Sequence, residues 1–154
     1  MKGVKRQMDN KKKDDVFYVC TLIEFIARKT KNHRKDVVGR FTKEEIEHQL
    51  DVADLNHCLS FEQVSDELVE EYGIPYGTFD TVSTCKYNVP SVTSIGRVYQ
   101  RLVLSVAGLD NAAQGILDVF SSFISDEISN FNTSVYYSNP DYLRCCYEDG
   151  YLLD

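Results

Sequence analysis

The chain has 154 residues, of which 43% are hydrophobic and 12% aromatic, and its formal net charge is -7. That length is typical of one domain, and the share of apolar residues excludes a chain too polar to close a core. The charge is divided unevenly: residues 1–43 hold 13 Lys and Arg against 5 Asp and Glu, a balance of +8, whereas residues 44–154 hold 4 against 19, a balance of -15.

The first third of the chain predicts a basic arm followed by a buried helix. Residues 1–13 are rich in lysine and have no hydrophobic period, which predicts a flexible, disordered arm. From Asp14 to about Thr30 apolar residues cover nearly the whole circumference of a helix, which predicts the central helix of the fold. A short amphipathic piece, RKDVVGRF, comes next. Residues 14–154 are therefore expected to form a single helical domain.

Two amphipathic helices and a long connection are predicted in the middle of the chain. Each helix opens with a capping box, in which a hydroxyl residue is followed three positions later by Glu or Gln: Thr42 with Glu45, and Ser60 with Gln63. Residues 74–90 contain Gly, two Pro and several β-branched residues but no helical period. This connection is long for a compact domain, and such loops are often functional.

The last third predicts three more helices. Ser91 can cap a helix that ends at Gly108, and Asp110 begins the longest candidate, whose apolar stripe reaches Phe131. Pro140 suits the first turn of a short final helix. The sum is an all-α, single-domain bundle of five to six main helices.

Cysteine usage and hydropathy favour a cytoplasmic protein. Five cysteines are an odd number, which is typical of reduced chains. The charged N-terminus is not followed by a secretory h-region, and the longest apolar stretch contains Glu24 and is too short to span a bilayer. We therefore expect no membrane segment.

The stretch RKTKNHRK holds a possible catalytic pair, Arg28 and His33. Their R-x-x-x-x-H spacing resembles the short motif of the helical nuclease domains of the higher-eukaryote-and-prokaryote nucleotide-binding type. The resemblance implies that Arg28 would steady a scissile phosphate and that His33 would assist proton transfer. The alternative, which the sequence favours, is a solvated helix end, because basic residues stabilise a helix C-terminus.

The same region offers a polyanion-binding surface. Clustered cations are what phosphate binding requires, and here they are Lys29, Lys31, Arg34 and Lys35, together with Lys11 to Lys13 of the arm. No recognition motif accompanies them, and the acidic remainder would repel a polyanion. Nucleic-acid binding is kept as an alternative to an ordinary solubilising surface.

Metal, cofactor and carboxylate chemistry have little support. His48, His57 and Cys58 lie near one another, but no zinc-ligand spacing and no phosphate-loop motif occurs, so neither a metal site nor a cofactor is predicted. The many carboxylates of residues 44–71 fall mainly on the polar faces of their helices. They are interpreted as a solvated surface.

The C-terminal tail is rich in tyrosine, a residue type favoured at protein interfaces because it combines large contact area with a polar tip. The tail therefore indicates a binding site for a protein partner, made by Tyr136, Tyr137, Tyr142, Tyr147 and Tyr151. The alternative is that these rings only close the edge of the core.

One wider resemblance covers about the first half of the domain. The layout FYVCTLIEFIARKTKNHRKDVVGRF leading to LDVADLNHCLSFEQVSDELVEEY resembles a short, functionally uncharacterised bacterial helical domain. Some members of that family are encoded beside ADP-ribosyltransferase-like proteins, in cassettes suspected of acting as toxin and antitoxin. The resemblance implies an accessory or antitoxin-like protein and no catalytic residue. The sequence thus favours a bacterial, non-enzymatic protein-interaction module that masks or regulates a partner.

Overall fold

The structure, a computed structural model that describes residues 2–154, is all-α, as predicted from the sequence. Within those residues nine α-helices occur, with two 3₁₀ turns at Leu109–Asn111 and Val135–Tyr137. The helices are α1 Lys2–Thr30, α2 Arg34–Val38, α3 Lys43–Asp51, α4 Ala53–Asn56, α5 Phe61–Glu71, α6 Val92–Ala107, α7 Ala112–Ser121, α8 Phe123–Ser129 and α9 Pro140–Asp149. The predicted number of five to six is too low, because short helices and a helix break escaped the sequence patterns.

The central helix is α1, and its second half is buried as its composition predicted. Its apolar residues between Val16 and Ala27 pack against α6, α2, α3 and α5. A close approach to α6 occurs at Gly96, where a Cβ atom would lie 1.9 Å from Thr21 Oγ1 and 3.0 Å from Thr21 Cα. Only glycine allows the two helices to come this near to each other.

The prediction of an arm without regular structure is wrong for residues 2–13, which form the first turns of α1; Met1 lies outside the described residues. Lys, Arg, Gln and Met are good helix formers, so the helix can extend beyond the buried part. Lys11 also holds the extension in place, because its Nζ lies 3.1 Å from Asp15 and 3.0 Å from Asp54 of α4. Most side chains of this extension are exposed.

Local capping signals are confirmed. The Thr42 hydroxyl accepts from the Glu45 N–H at 3.1 Å, and the Glu45 carboxylate accepts from the Thr42 N–H at 2.9 Å, which completes the capping box of α3. Ser60 and Ser91 cap α5 and α6 by accepting from the Gln63 and Ser94 N–H groups, each at 3.1 Å, but the return bond from the Gln63 side chain that would complete the second predicted capping box is not among the bonds of α5. These caps satisfy N–H groups that have no partner within their helices.

The single long helix predicted from Asp110 to Phe131 is wrong, because the chain breaks at Ser122 into α7 and α8. Ser122 has extended backbone angles (φ -81°, ψ 168°), and its hydroxyl both donates to the Val119 carbonyl at 2.7 Å and accepts from the Ile124 N–H at 3.3 Å. A serine hydroxyl that bonds nearby backbone groups competes with continuous helix. The apolar stripe continues across the break and hides it from the sequence.

The connection of residues 74–90 is non-helical, as predicted, and is fastened to the turn after α1. The Gly77 N–H donates to the Thr30 carbonyl at 2.7 Å, and the Phe79 N–H donates to the Lys31 carbonyl at 2.8 Å. The buried Asn32 amide adds a bond of 2.7 Å to the Pro75 carbonyl. This segment is therefore packed against the bundle near its start.

Within residues 2–154, no helix on its own has both the length and the apolar composition for a bilayer crossing. One pair, Val92–Ala107 with Leu109–Ser121, meets those two criteria jointly but is bent by 103°.

Candidate functional site

A buried ion cluster occupies the place where the sequence indicated either a nuclease pair or a solvated helix end. The side chain of Glu24 is 0% exposed and that of Arg34 is 1% exposed. Arg34 donates two hydrogen bonds to the carboxylate from one edge of its guanidinium, Nε to Oε1 at 2.8 Å and Nη2 to Oε2 at 2.5 Å. The interpretation of this stretch as a solvated helix end is therefore wrong for Arg34. A carboxylate buried in an apolar helix requires such a cation.

Arg28 belongs to the same cluster. Its Nε donates to Glu24 Oε2 at 2.8 Å, and its guanidinium carbon lies 4.8 Å from the centre of the Phe131 ring. Its Nη2 is buried and has no hydrogen-bond partner among the described residues. The charge of Arg28 is thus largely committed to an internal carboxylate.

His33 makes separate contacts. Its Nδ1 lies 2.8 Å from Asp126 Oδ1 of α8, and its ring stacks on Phe79 with 3.7 Å between the ring centres. A shallow depression of about 370 Å³ lies beside Arg28, and His33 is not part of its wall. Arg28 and His33 are therefore held by different partners and do not line this depression together.

The four cations predicted to bind a polyanion do not share one surface. Arg34 is buried and unable to contact a ligand, so its assignment as a binding residue is wrong. Lys29 is mostly buried between Glu62, at 2.8 Å, and Asp66 of α5. Of the four predicted cations, two remain accessible: Lys31, whose Nζ lies 3.7 Å from Asp80, and Lys35, which is exposed. Neutralised or buried cations contribute little to phosphate binding.

The five tail tyrosines have different environments. Tyr142 donates its hydroxyl to the Leu153 carbonyl at 2.6 Å, and burial raises the pKa of the Tyr147 phenol. These two rings pack against the edge of the core. Tyr151 is exposed by itself near the C-terminus. Tyr136 and Tyr137 alone among the five line a common groove.

That groove, here called the tyrosine groove, has a volume of about 450 Å³ and lies between α6 and the start of α9. Its apolar walls include Val98 and Leu102 of α6 and Leu143 of α9. Tyr136 makes edge-to-face contacts with two other rings, and its ring centre lies 5.9 Å from that of Phe131 and 4.7 Å from that of Tyr137. Tyr137 is 69% exposed. The groove therefore presents one anchored and one accessible aromatic ring above an apolar surface.

The sequence indicated the aromatic half of this groove but missed the half that α6 supplies. Only a helix capped by Ser91 and ending at Gly108 was predicted there, and neither Val98 nor Arg101, which both line the groove, was singled out as a site residue. The signal that was present is the Ser-Asn-Pro sequence before α9, where the Asn139 side chain caps the helix by accepting from the Asp141 N–H at 2.8 Å. The cap and Pro140 begin α9 shortly after the two tyrosines, which line the groove together with residues of α6.

The acidic middle of the chain is a solvated surface, as interpreted from the sequence. Residues 43–71 hold one Lys and ten Asp and Glu, and most of these carboxylates are exposed. Residues 2–154 contain no group of three or more His, Cys, Asp or Glu placed to hold a metal ion.

Comparisons with protein-family models, curated proteins and solved structures found no match for this chain.

Proposed function

We propose that this chain is a non-enzymatic protein-interaction module that binds a partner protein in the tyrosine groove. The observation that carries the proposal is an accessible ring, Tyr137, beside the apolar walls formed by Val98 and Leu102. Tyrosine is enriched among the residues that dominate binding energy at interfaces, especially where a pocket accepts a side chain of the partner. A groove of about 450 Å³ lies within the usual range for ligand pockets, which is about 300–1,000 Å³.

The accessory or antitoxin-like role inferred from the family resemblance fits this proposal. Masking a partner requires a docking surface and no catalytic group. The groove would supply the apolar contact, and the acidic surface of residues 43–71, which lies outside the groove, would favour basic residues on the part of the partner that faces it. That the protein is bacterial and that it is located in the cytoplasm also remain predictions from the sequence.

Nucleic-acid binding and RNA cleavage have weaker support from the geometry. The buried Arg34 and the paired Lys29 reduce the predicted basic surface, and Arg28 is held by Glu24. RNA cleavage that is lost in His33→Ala with helicity retained would favour the nuclease. The alternative of nucleic-acid binding would be favoured by RNA or DNA binding that depends strongly on salt and is lost when Lys31 and Lys35 are neutralised.

The test of the interaction module compares groove variants with a matched surface variant. Tagged wild-type protein, Tyr137→Ala and Val98→Asp are used to recover partners from the cells that encode the chain. Tyr87→Ala is the control, because Tyr87 is 70% exposed and lies outside the groove. Partners are identified by mass spectrometry, and affinity is then measured with the purified partner.

We expect both groove variants to weaken binding of one specific protein while Tyr87→Ala retains it. Truncating a central interface tyrosine costs about 2 kcal/mol, which corresponds to a loss of affinity of about 30-fold. Equal recovery of that protein by wild type, Tyr137→Ala and Val98→Asp would contradict the proposal, as would recovery of nucleic acid alone.

A further inference from the structure

A second groove lies next to the tyrosine groove, between α1 and α6, with a volume of about 800 Å³. We call it the arginine groove. Its walls carry three cations, Lys13 of α1 and Arg97 and Arg101 of α6, and one carboxylate, Asp14. Among the described residues these three cations form no ion pair. Three cations against one carboxylate make a local excess of positive charge in a chain whose net charge is -7.

The cation Arg97 is held in a fixed position. Its guanidinium carbon lies 3.9 Å from the centre of the Phe17 ring, and its Nη1 donates to Gln100 Oε1 at 2.7 Å. Gln100 is only 5% exposed, and its amide donates in turn to the Lys13 carbonyl at 2.8 Å. A guanidinium has five N–H donors, so most of those of Arg97 are left for a ligand. Stacking and hydrogen bonding thus orient the group before any ligand arrives.

The two grooves meet at Arg101, which lines both of them. With about 3.6 residues per helical turn, Arg101 lies between Val98 and Arg97 around the circumference of α6. The apolar floor that α6 gives the tyrosine groove and the two arginines of the arginine groove are therefore neighbouring stripes of one helix. A segment of extended chain that crosses α6 would contact both stripes within a few residues.

We propose that the partner segment in the tyrosine groove carries a carboxylate close to its apolar side chain, and that Arg97, Arg101 and Lys13 bind this carboxylate. This inference rests on the proposed function and specifies the chemistry of the partner at the same site. Arginine is suited to the role because its planar donors match the two oxygens of a carboxylate.

An acidic protein segment fits these grooves better than a nucleic acid does. Three cations neutralise only a few phosphates, and residues 44–154 carry 19 carboxylates against 4 cations, which repel a long polyanion. A single carboxylate beside an apolar side chain can be bound by the three cations of the arginine groove alone. The apolar walls of the tyrosine groove offer a phosphate backbone no favourable contact.

The test uses short fluorescein-labelled synthetic peptides with one central Leu, Phe or Tyr, flanked by Glu and Asp, by Ser or by Lys. Binding is measured by fluorescence anisotropy at rising salt concentration. An oligonucleotide of single-stranded RNA and one of DNA are measured alongside the peptides. The protein forms are wild type, Arg101→Glu, Tyr137→Ala and Arg40→Glu. Arg101 and Arg40 are both exposed, and Arg40 lies outside both grooves, which makes it the charge-matched control.

We expect an acidic peptide to bind, Arg101→Glu and Tyr137→Ala each to weaken it at least tenfold, and Arg40→Glu to leave it within a factor of two. Circular dichroism verifies that each variant keeps its helical content. A preference for Ser or Lys flanks, no binding by any acidic peptide, or tighter binding of an oligonucleotide would overturn the inference. If Tyr137→Ala weakens binding of a protein partner but Arg101→Glu does not, the interaction module stands and the acidic contact fails.

Discussion

The buried ion cluster gives the sharpest prediction about stability, through the substitution Arg34→Met. Methionine is unbranched and apolar, so it fills much of the space of the arginine stem while removing the charge. The carboxylate of Glu24, which is 0% exposed, would then lose two of its hydrogen bonds, at 2.8 and 2.5 Å. One bond would remain, from Arg28 at 2.8 Å.

The expected loss follows from that geometry. Removing one partner of a buried ion pair costs about 3–5 kcal/mol, because the remaining charge stays buried without compensation. Since Arg28 still contacts Glu24, we expect a value near the lower end, about 3 kcal/mol. Domains of this size are stable by about 5–15 kcal/mol, so the substitution removes a large part of the total. Glu24→Gln combined with Arg34→Met should cost less than the sum of the two single changes.

Urea unfolding followed by far-ultraviolet circular dichroism measures these free energies. Arg144→Met is the matched control, because Arg144 is partly exposed and its partner Glu148, at 3.3 Å, is 51% exposed. Exposed pairs contribute at most about 1 kcal/mol. If Arg34→Met lowers the free energy of unfolding no more than Arg144→Met does, the buried pair of Glu24 and Arg34 contributes no more to stability than an exposed pair.

Three further outcomes are expected. Gly96→Ala should lower the free energy of unfolding by about 1–3 kcal/mol, since its Cβ would overlap α1, whereas Gly3→Ala, with nothing within 4 Å, should be neutral or slightly stabilising in the same urea titration. In the native protein, iodoacetamide should modify the exposed Cys58 but not the fully buried Cys20, whose pKa is raised by burial; rapid labelling of Cys20, seen by mass spectrometry, would contradict the packing of α1. Burial raises the pKa of Asp15, so the stability that its protonated form contributes is present at low pH and is lost as the pH rises through the folded-state pKa. The free energy of unfolding of Asp15→Asn, compared with that of wild type, should therefore be higher near neutral pH than in acid. The opposite trend in paired unfolding curves would refute this expectation.

Features decided by neighbouring residues could be predicted from the sequence. The capping box of Thr42 and Glu45, the cap at Ser91 and the absence of helix from residue 74 to residue 90 all depend on short-range hydrogen bonds and backbone preferences. The apolar half of α1 was equally plain, because its side chains leave no polar face. Patterns of this range account for the all-α fold.

The state of Arg34 could not be predicted in the same way, because its burial depends on a contact with a residue ten positions earlier. One signal was nevertheless present: Glu24 stands among apolar residues with Arg28 one helical turn later, and a buried carboxylate needs a nearby cation. That signal calls for a cation near Glu24 without showing that a second one would come from α2.

For the tyrosine groove, too, one part could be predicted from neighbouring residues and another part depends on contacts between distant residues. The sequence correctly marked the tail as aromatic, but Tyr136 and Tyr137 differ from Tyr142 only in what packs against them. Which rings are exposed is decided by where α9 lies against α6, a contact between distant parts of the chain. Composition alone therefore could not separate the groove from the edge of the core.

The contact between Gly96 and Thr21 bears on how binding would proceed. Val98 and Arg101, which line the grooves, follow Gly96 along α6. At Gly96 the α6 backbone packs so tightly on Thr21 of α1 that a movement of α6 toward α1 would produce a clash with the Thr21 side chain. Such a helix offers a preformed surface and loses little conformational entropy when a partner docks. The ordering on binding would then fall mainly on the partner, and a flexible segment that becomes ordered on α6 is the kind of ligand this rigidity favours.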